Sequence, residues 1–77
     1  MDWHNFIHSD PGILGGKPVV RGTRLSVEFI LGLLASGWSE DDILRNYIHL
    51  TKESLQALFA YAAEGIMTET MIPFANL

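Results

Sequence analysis

The sequence predicts a mainly α protein in which a three-helix bundle follows a short N-terminal β-hairpin. Residues 1–25 are rich in glycine, proline and β-branched residues, whereas apolar residues recur with a helical period from Ser26 onward. A residue suited to capping a helix stands before each of three periodic segments. These residues are Ser26, Ser39 and Thr51.

The 77 residues fit a single domain, residues 1–77, with three parts. We expect a β/turn element over residues 1–25, a trihelical unit over 26–64 and an apolar tail over 65–77. The chain has no cysteine, so disulfides and thiolate zinc sites cannot stabilise it. Small domains are marginally stable alone, which favours a homo-oligomer, a dimer or higher.

The N-terminal element is predicted from turn residues and β-branched residues. Glycines and Asp10-Pro11-Gly12 indicate turns between short extended segments. The predicted strands are Phe6–Ser9, Pro18–Val20 and Thr23–Leu25. Because Pro18 has no N–H to donate, it should lie at a strand start or edge.

The three helices are predicted from apolar spacing and caps. The first follows Ser26, with Gly37 as the residue beyond its end. Acidic residues in the first turn after Ser39 suit the start of the second helix. The third begins after Thr51, and Gly65 is expected to stop it. The apolar faces are Val27, Ile30, Leu31 and Leu34; Ile43, Leu44 and Tyr47; and Leu55, Leu58, Phe59 and Ala62.

Further apolar residues lie away from these faces. Phe29 and Leu33 fall on the opposite side of the first helix, where they meet either another subunit or the N-terminal hairpin. The tail, residues 66–77, is too apolar for a solvated segment, so it packs back on the domain or covers a partner. The predicted interface therefore comprises Phe29, Leu33, Met67, Met71, Ile72 and Phe74.

Positive charge is concentrated in the segment Gly15–Arg24. Lys17, Arg21 and Arg24 contribute +3 to a net charge of −4, so the other residues sum to −7, two basic against nine acidic. Two interpretations remain open. The three side chains contact an anion or nucleic acid, or they bridge to carboxylates at helix starts, such as Glu28 or residues 40–42.

The third helix occupies the recognition position of a helix-turn-helix. Its outer face is predicted to carry Glu53, Ala57, Ala60 and Glu64. Two carboxylates facing phosphates would weaken DNA binding, so the sequence argues against major-groove recognition by this helix.

The sequence gives little support for a nucleotide-binding, metal-binding or catalytic site. Residues 11–18 resemble a P-loop, but Pro11 replaces its first glycine and Pro18 its hydroxyl residue. His4 and His8 lack a third metal ligand, and we expect His49 to make a structural hydrogen bond in a turn. We therefore predict no metal, no cofactor and no enzyme. No signal peptide or membrane span is visible, so we expect a cytoplasmic protein that does not contact membrane.

The segments Gly16-Lys17-Pro18-Val19-Val20-Arg21-Gly22-Thr23-Arg24 and Ala60-Tyr61-Ala62-Ala63 resemble the prokaryotic domain-of-unknown-function family 433. The resemblance, over about residues 7–64, implies a homeodomain-like or winged-helix-like trihelical fold. It also implies a VapB-type antitoxin that neutralises a PIN-like ribonuclease toxin and represses its own promoter. This chain departs from the family at Ile48, where a proline is usual.

The resulting hypothesis is an antitoxin-like domain that binds a PIN-like toxin and its own promoter DNA. In a dimer, Lys17, Arg21 and Arg24 would neutralise about six phosphates, which predicts a log–log salt slope near −5. The alternative is an oligomeric protein-interaction module that binds no nucleic acid. A phosphate-ligand or enzymatic role is a third and weaker hypothesis.

Overall fold

The structure, a computed structural model, describes residues 1–68, although not the side chains of residues 67 and 68. The described elements are β1 (Ile7–His8), β2 (Val19–Val20), α1 (Val27–Ala35), α2 (Glu40–Asn46) and α3 (Lys52–Thr68). Two 3₁₀ turns, Trp3–Asn5 and Leu14–Gly16, precede β1 and β2 respectively. The predicted mainly α class, with three helices behind a short antiparallel strand pair, is confirmed.

The strand pair is short. Ile7 lies opposite Val20 and His8 opposite Val19, in antiparallel register. Ile7, Val19 and Val20 are all buried, so this pair forms part of the core. Its ten-residue connection, residues 9–18, contains the second 3₁₀ turn.

The predicted third strand, Thr23–Leu25, is wrong. Thr23 Oγ1 donates to the Val20 carbonyl at 2.8 Å and accepts from the Leu25 amide at 3.0 Å, so the side chain closes a turn. Gly22 lies at φ 81°, a left-handed conformation that favours glycine and reverses the chain. Only an isolated bridge between Val19 and Ser26 continues the pairing.

The predicted helix starts are present. Ser26 Oγ accepts from the Phe29 amide at the start of α1. At α2, Ser39 and Asp42 form a reciprocal capping box, with both side chains accepting from backbone amides, at 2.9 and 3.0 Å. Thr51 Oγ1 accepts from the Ser54 amide at the start of α3.

The predicted stop at Gly65 is wrong, because α3 continues to Thr68. A glycine ends a helix by adopting a left-handed conformation, as Gly37 does at φ 100° beyond α1. Gly65 instead lies within the helix, where glycine costs only about 1 kcal/mol relative to alanine. Ala62, Ala63 and Glu64 before it are good helix formers, which offsets that cost.

The core lies between the strand pair and the helices. The side of α3 that faces it carries Ser54, Leu55, Ala57 and Leu58, all buried. The expectations for Ala57, placed outside, and Phe59, placed in the core, are therefore wrong: Ala57 is 0% and Phe59 38% exposed. The reason is that β1 and the 3₁₀ turn Trp3–Asn5 pack on α3, and Ala57 lies in the same buried cluster as Ile7 of β1.

Candidate functional site

Lys17 forms an ion pair with Glu28 in the first turn of α1. Both side chains are more than half exposed, so the pair contributes at most about 1 kcal/mol. The pair follows a backbone that turns sharply, with Gly15 and Gly16 at φ 66° and 88°. Glu28 is one of the helix-start carboxylates proposed from the sequence, and it offsets the charge of Lys17.

Arg21 lies directly after β2, and its side chain turns towards the N-terminal segment. Its Nε and Nη2 atoms both approach the His4 carbonyl oxygen at 3.4 Å, which is long for a hydrogen bond to a guanidinium. No described carboxylate pairs with Arg21. Its charge is therefore exposed at the surface, and its contacts are with backbone alone.

Arg24 is exposed and makes no hydrogen bond or ion pair with any residue that the structure describes. It lies in the turn between β2 and α1, and it lines three neighbouring clefts. The three basic residues of the segment thus differ in their surroundings. Lys17 is paired, Arg21 touches backbone, and Arg24 is free to bind another molecule.

The largest cleft beside Arg24 is open and mainly apolar, with a volume of about 810 Å³. Its apolar walls are Leu14, Leu25 and Phe29. Leu14 is 45% and Phe29 43% exposed, so two large apolar side chains face solvent here. The Lys17–Glu28 pair lies at the same cleft. We call this the first cleft.

A second cleft of about 280 Å³ also borders Arg24 and lies against the turn between α2 and α3. It shares Arg24 and Leu25 with the first cleft and adds Tyr47 and Ile48. Ile48 is 80% exposed, the largest exposed fraction among the large apolar residues described. The ring of Phe29 meets that of Tyr47 edge-on, with centroids 5.9 Å apart, and so connects the two clefts.

These two clefts form one continuous surface, which we call the Arg24 surface. It comprises Leu14, Arg24, Leu25, Phe29, Tyr47 and Ile48. Single exposed apolar residues are normal on proteins, but three around one unpaired arginine are typical of an interaction site. The sequence identified Arg24 and Phe29 as candidates, but it gave no sign that Leu14 and Ile48 lie beside them.

The other predicted interface residues are only partly visible. Leu33 is half-buried and packs against the core, while Phe29 is 43% exposed. The Met67 side chain and residues Met71, Ile72 and Phe74 lie outside the described part of the chain.

The helix-turn-helix elements present an acidic surface. Glu40 and Asp41 of α2 line a groove with Lys52 and Gln56 at the start of α3. These carboxylates flank the part of α3 that would enter a DNA groove, which disfavours base recognition there. Neither carboxylate forms an ion pair with a described residue.

Glu64, farther along α3, holds the N-terminus. Its Oε2 atom accepts a 2.6 Å hydrogen bond from Trp3 Nε1. Trp3 also meets Tyr61 edge-on, with centroids 4.7 Å apart, and stacks on His4. Sequence reasoning missed this contact because 61 residues separate its partners.

The histidines and acids form no larger cluster. His4 Nδ1 lies 2.6 Å from Asp2 Oδ1, and hydrogen bonds from His4 lower the pKa of Asp2. His8 is half-buried in β1. The hydrogen bond expected of His49 is wrong: this residue is exposed in the turn and bonds to no described residue. Within residues 1–68 no group of three such side chains could hold a metal.

These observations define the class of protein. It is a small trihelical domain with an N-terminal strand pair and an apolar surface around a free arginine. No helix in the described range is long and apolar enough to cross a membrane. The chain belongs to the DUF433 family, described as a protein family of unknown function, whose sequence profile matches residues 7–62.

Two relatives agree with that assignment. The chain is 39% identical over 56 residues to the uncharacterized protein y4eO of Sinorhizobium fredii, covering 73% of this chain and 25% of that protein. It is 31% identical to a DUF433 member from Anabaena variabilis whose crystal structure is known, with a TM-score of 0.77 over 84% of this chain and 64% of that one. The chain thus spans less than two thirds of either relative's length.

Proposed function

We propose that this DUF433 domain is a non-catalytic, antitoxin-like binding domain that acts in the cytoplasm and recognises a partner protein through the Arg24 surface. The partner class that its resemblance to VapB-type antitoxins suggests is a PIN-like ribonuclease toxin. The observation that supports binding most directly is the exposure of Leu14, Phe29 and Ile48 around Arg24.

The physical argument is that the fold leaves apolar side chains exposed to water, which a partner protein could bury. Aromatic residues and arginine are enriched at the energetic centres of protein interfaces, where apolar area is buried together with a few charge pairs. Fully burying one side chain of the size of phenylalanine or isoleucine contributes about 1.5–3 kcal/mol. Partner binding would therefore gain most of this at Ile48, which is 80% exposed, and a smaller part at Phe29, which is 43% exposed.

Co-expression with a PIN-like ribonuclease toxin from the same genome tests the proposal. We expect a stable complex that Phe29→Ser disrupts. Phe59→Ser is the matched control, because Phe59 is similarly exposed but lies on α3 and lines neither cleft. Loss of the complex with Phe29→Ser alone supports the proposal, whereas equal effects of the two variants contradict it.

The apolar tail needs a separate test, because Met71, Ile72 and Phe74 lie outside the described residues. We expect deletion of residues 69–77 to weaken the same complex if the tail contributes to the interface. A complex of unchanged affinity would remove the tail from the interface and leave the Arg24 surface as its site.

Promoter DNA is a second candidate ligand, favoured by the lack of a carboxylate partner at Arg21 and Arg24. Because Glu28 already pairs with Lys17, a dimer would offer four arginines to phosphates rather than six basic residues. The expected log–log salt slope is then about −3.6. A gel shift on its own promoter fragment, measured from low to moderate salt, tests this; a missing or salt-independent shift would contradict it.

A homo-oligomer that binds no nucleic acid is the alternative to the DNA-binding form. Phe29 and the half-buried Leu33 are the α1 residues expected at such an interface. Sedimentation equilibrium should then report a dimer or higher for the wild-type chain and a smaller species for Phe29→Ser. A monomer at all concentrations would contradict it.

A further inference from the structure

Arg24 is shared by neighbouring clefts rather than belonging to one alone. The first cleft and the second cleft share Arg24 and Leu25, and beyond these the first is lined by Phe29 and the second by Ile48. A chain segment that fills both clefts would therefore contact Arg24 as well as the apolar residues of each cleft.

The Arg24 guanidinium carries the uncompensated charge at this surface. The first cleft holds two basic residues and one acid, but Glu28 pairs with Lys17 and offsets it. Arg24 has no carboxylate, backbone or ring partner among residues 1–68. The uncompensated charge of the clefts' lining residues, with histidine neutral, is thus +1, in a chain whose net charge is −4.

Resting on the proposed function, we propose that the Arg24 surface recognises a segment of its partner protein in which an acidic residue lies between two apolar residues. The carboxylate would accept paired hydrogen bonds from the guanidinium, a geometry that arginine favours. The apolar side chains would enter the two clefts. The first cleft is the larger, about 810 Å³ against about 280 Å³, so it suits an aromatic or long aliphatic side chain, and the second suits a smaller aliphatic one.

The apolar walls favour a protein segment over a nucleic acid backbone. A phosphate backbone would satisfy Arg24 but would leave Phe29 and Ile48 uncovered, whereas a carboxylate flanked by apolar residues covers both. The surrounding apolar area would also exclude water from the ion pair, which strengthens it compared with an exposed pair.

A displayed library of random peptides of about twelve residues, selected on the full chain, tests this inference. We expect the wild-type chain to enrich peptides with aspartate or glutamate between apolar residues. Arg24→Glu should reverse the preference to lysine or arginine at that position, and Arg24→Ala should weaken selected peptides about tenfold. Both variants should fold, because Arg24 is exposed and makes no described contact.

Lys52→Glu is the matched control. It produces the same change in net charge as Arg24→Glu, but Lys52 is at the start of α3 and lines neither cleft. The control should keep the wild-type preference for acidic peptides. A reversal in both variants would mean that net charge, rather than the Arg24 surface, selects the peptides, and would overturn the inference.

The outcomes separate this inference from the proposed function. If Phe29→Ser disrupts the toxin complex while the selected peptides show no acidic preference, the partner-binding function stands and the inference fails. If binding of the selected acidic peptides requires Arg24 while Phe29→Ser leaves the toxin complex intact, the inference about peptide recognition holds. The toxin is then not the partner of this surface. Failure of both tests overturns both.

Discussion

Replacing Trp3 by alanine should strongly destabilise the domain. Trp3 is half-buried against the core, meets Tyr61 edge-on and donates a hydrogen bond to Glu64. Half of a tryptophan side chain amounts to about 100 Å², which at about 25 cal/mol per Å² contributes about 2.5 kcal/mol. The aromatic pair and the hydrogen bond to Glu64 together raise the expected loss to about 4 kcal/mol.

That loss is large for a chain of this size. A domain of 77 residues has a free energy of unfolding on the order of 4–12 kcal/mol. The expected fall in Tm is roughly 15–30 °C. Guanidinium unfolding followed by far-UV circular dichroism would measure the change, and Trp38 provides a second, fluorescent probe.

Trp3→Phe is the control, because it retains a ring against Tyr61 and removes the indole N–H. We expect this variant to lose about 1 kcal/mol, mainly through the hydrogen bond to Glu64. If Trp3→Ala costs less than about 1 kcal/mol, the N-terminal segment does not contribute to folding as the packing on α3 indicates, and the reasoning is refuted.

Three further predictions concern helix ends. Ser39→Ala removes one half of the capping box and should cost about 1 kcal/mol in urea unfolding. Hydrogen bonds from Ser39 hold the pKa of Asp42 below its usual value, so the carboxylate stabilises the fold above about pH 4 and loses that effect as pH falls through the lowered pKa. The Tm difference between wild type and Asp42→Asn should therefore shrink in acid; a constant difference would contradict this. Gly37→Ala, at φ 100°, should destabilise by about 1 kcal/mol, whereas Gly65→Ala, inside α3, should stabilise by about 0.5–1 kcal/mol. If both glycine variants changed the stability in the same direction, the placement of the end of α3 beyond Gly65 would be refuted.

The helices were largely predictable because their signals are local. A cap such as Ser39 and the acids after it act within one turn, and apolar spacing identifies α1 without knowledge of its neighbours. Family membership was predictable for a related reason, since the segment Gly16–Arg24 contains the turn glycines and basic residues that the resemblance depends on.

What the sequence could not predict depends on contacts between distant segments. The buried side of α3 includes Ala57 rather than Phe59, because the N-terminal segment packs there. In the same way, the exposed Leu14 and Ile48 are far apart in the chain, and only the fold brings both beside Arg24. Periodicity along one helix contains no information about which other segment will cover it.

The residues of the Arg24 surface are far apart in the sequence, so ligand binding at this surface depends on folding. The Arg24 surface joins residues 14–29 to residues 46–49, so an unfolded chain does not contain it. A ligand of this surface binds the native state alone and stabilises it, by about 2.7 kcal/mol at one hundred times its Kd. For a domain this small that corresponds to a rise in Tm of roughly 10–20 °C. Thermal denaturation can therefore serve as a search for the ligand, and the amount of folded protein in a cell would depend on the amount of its partner.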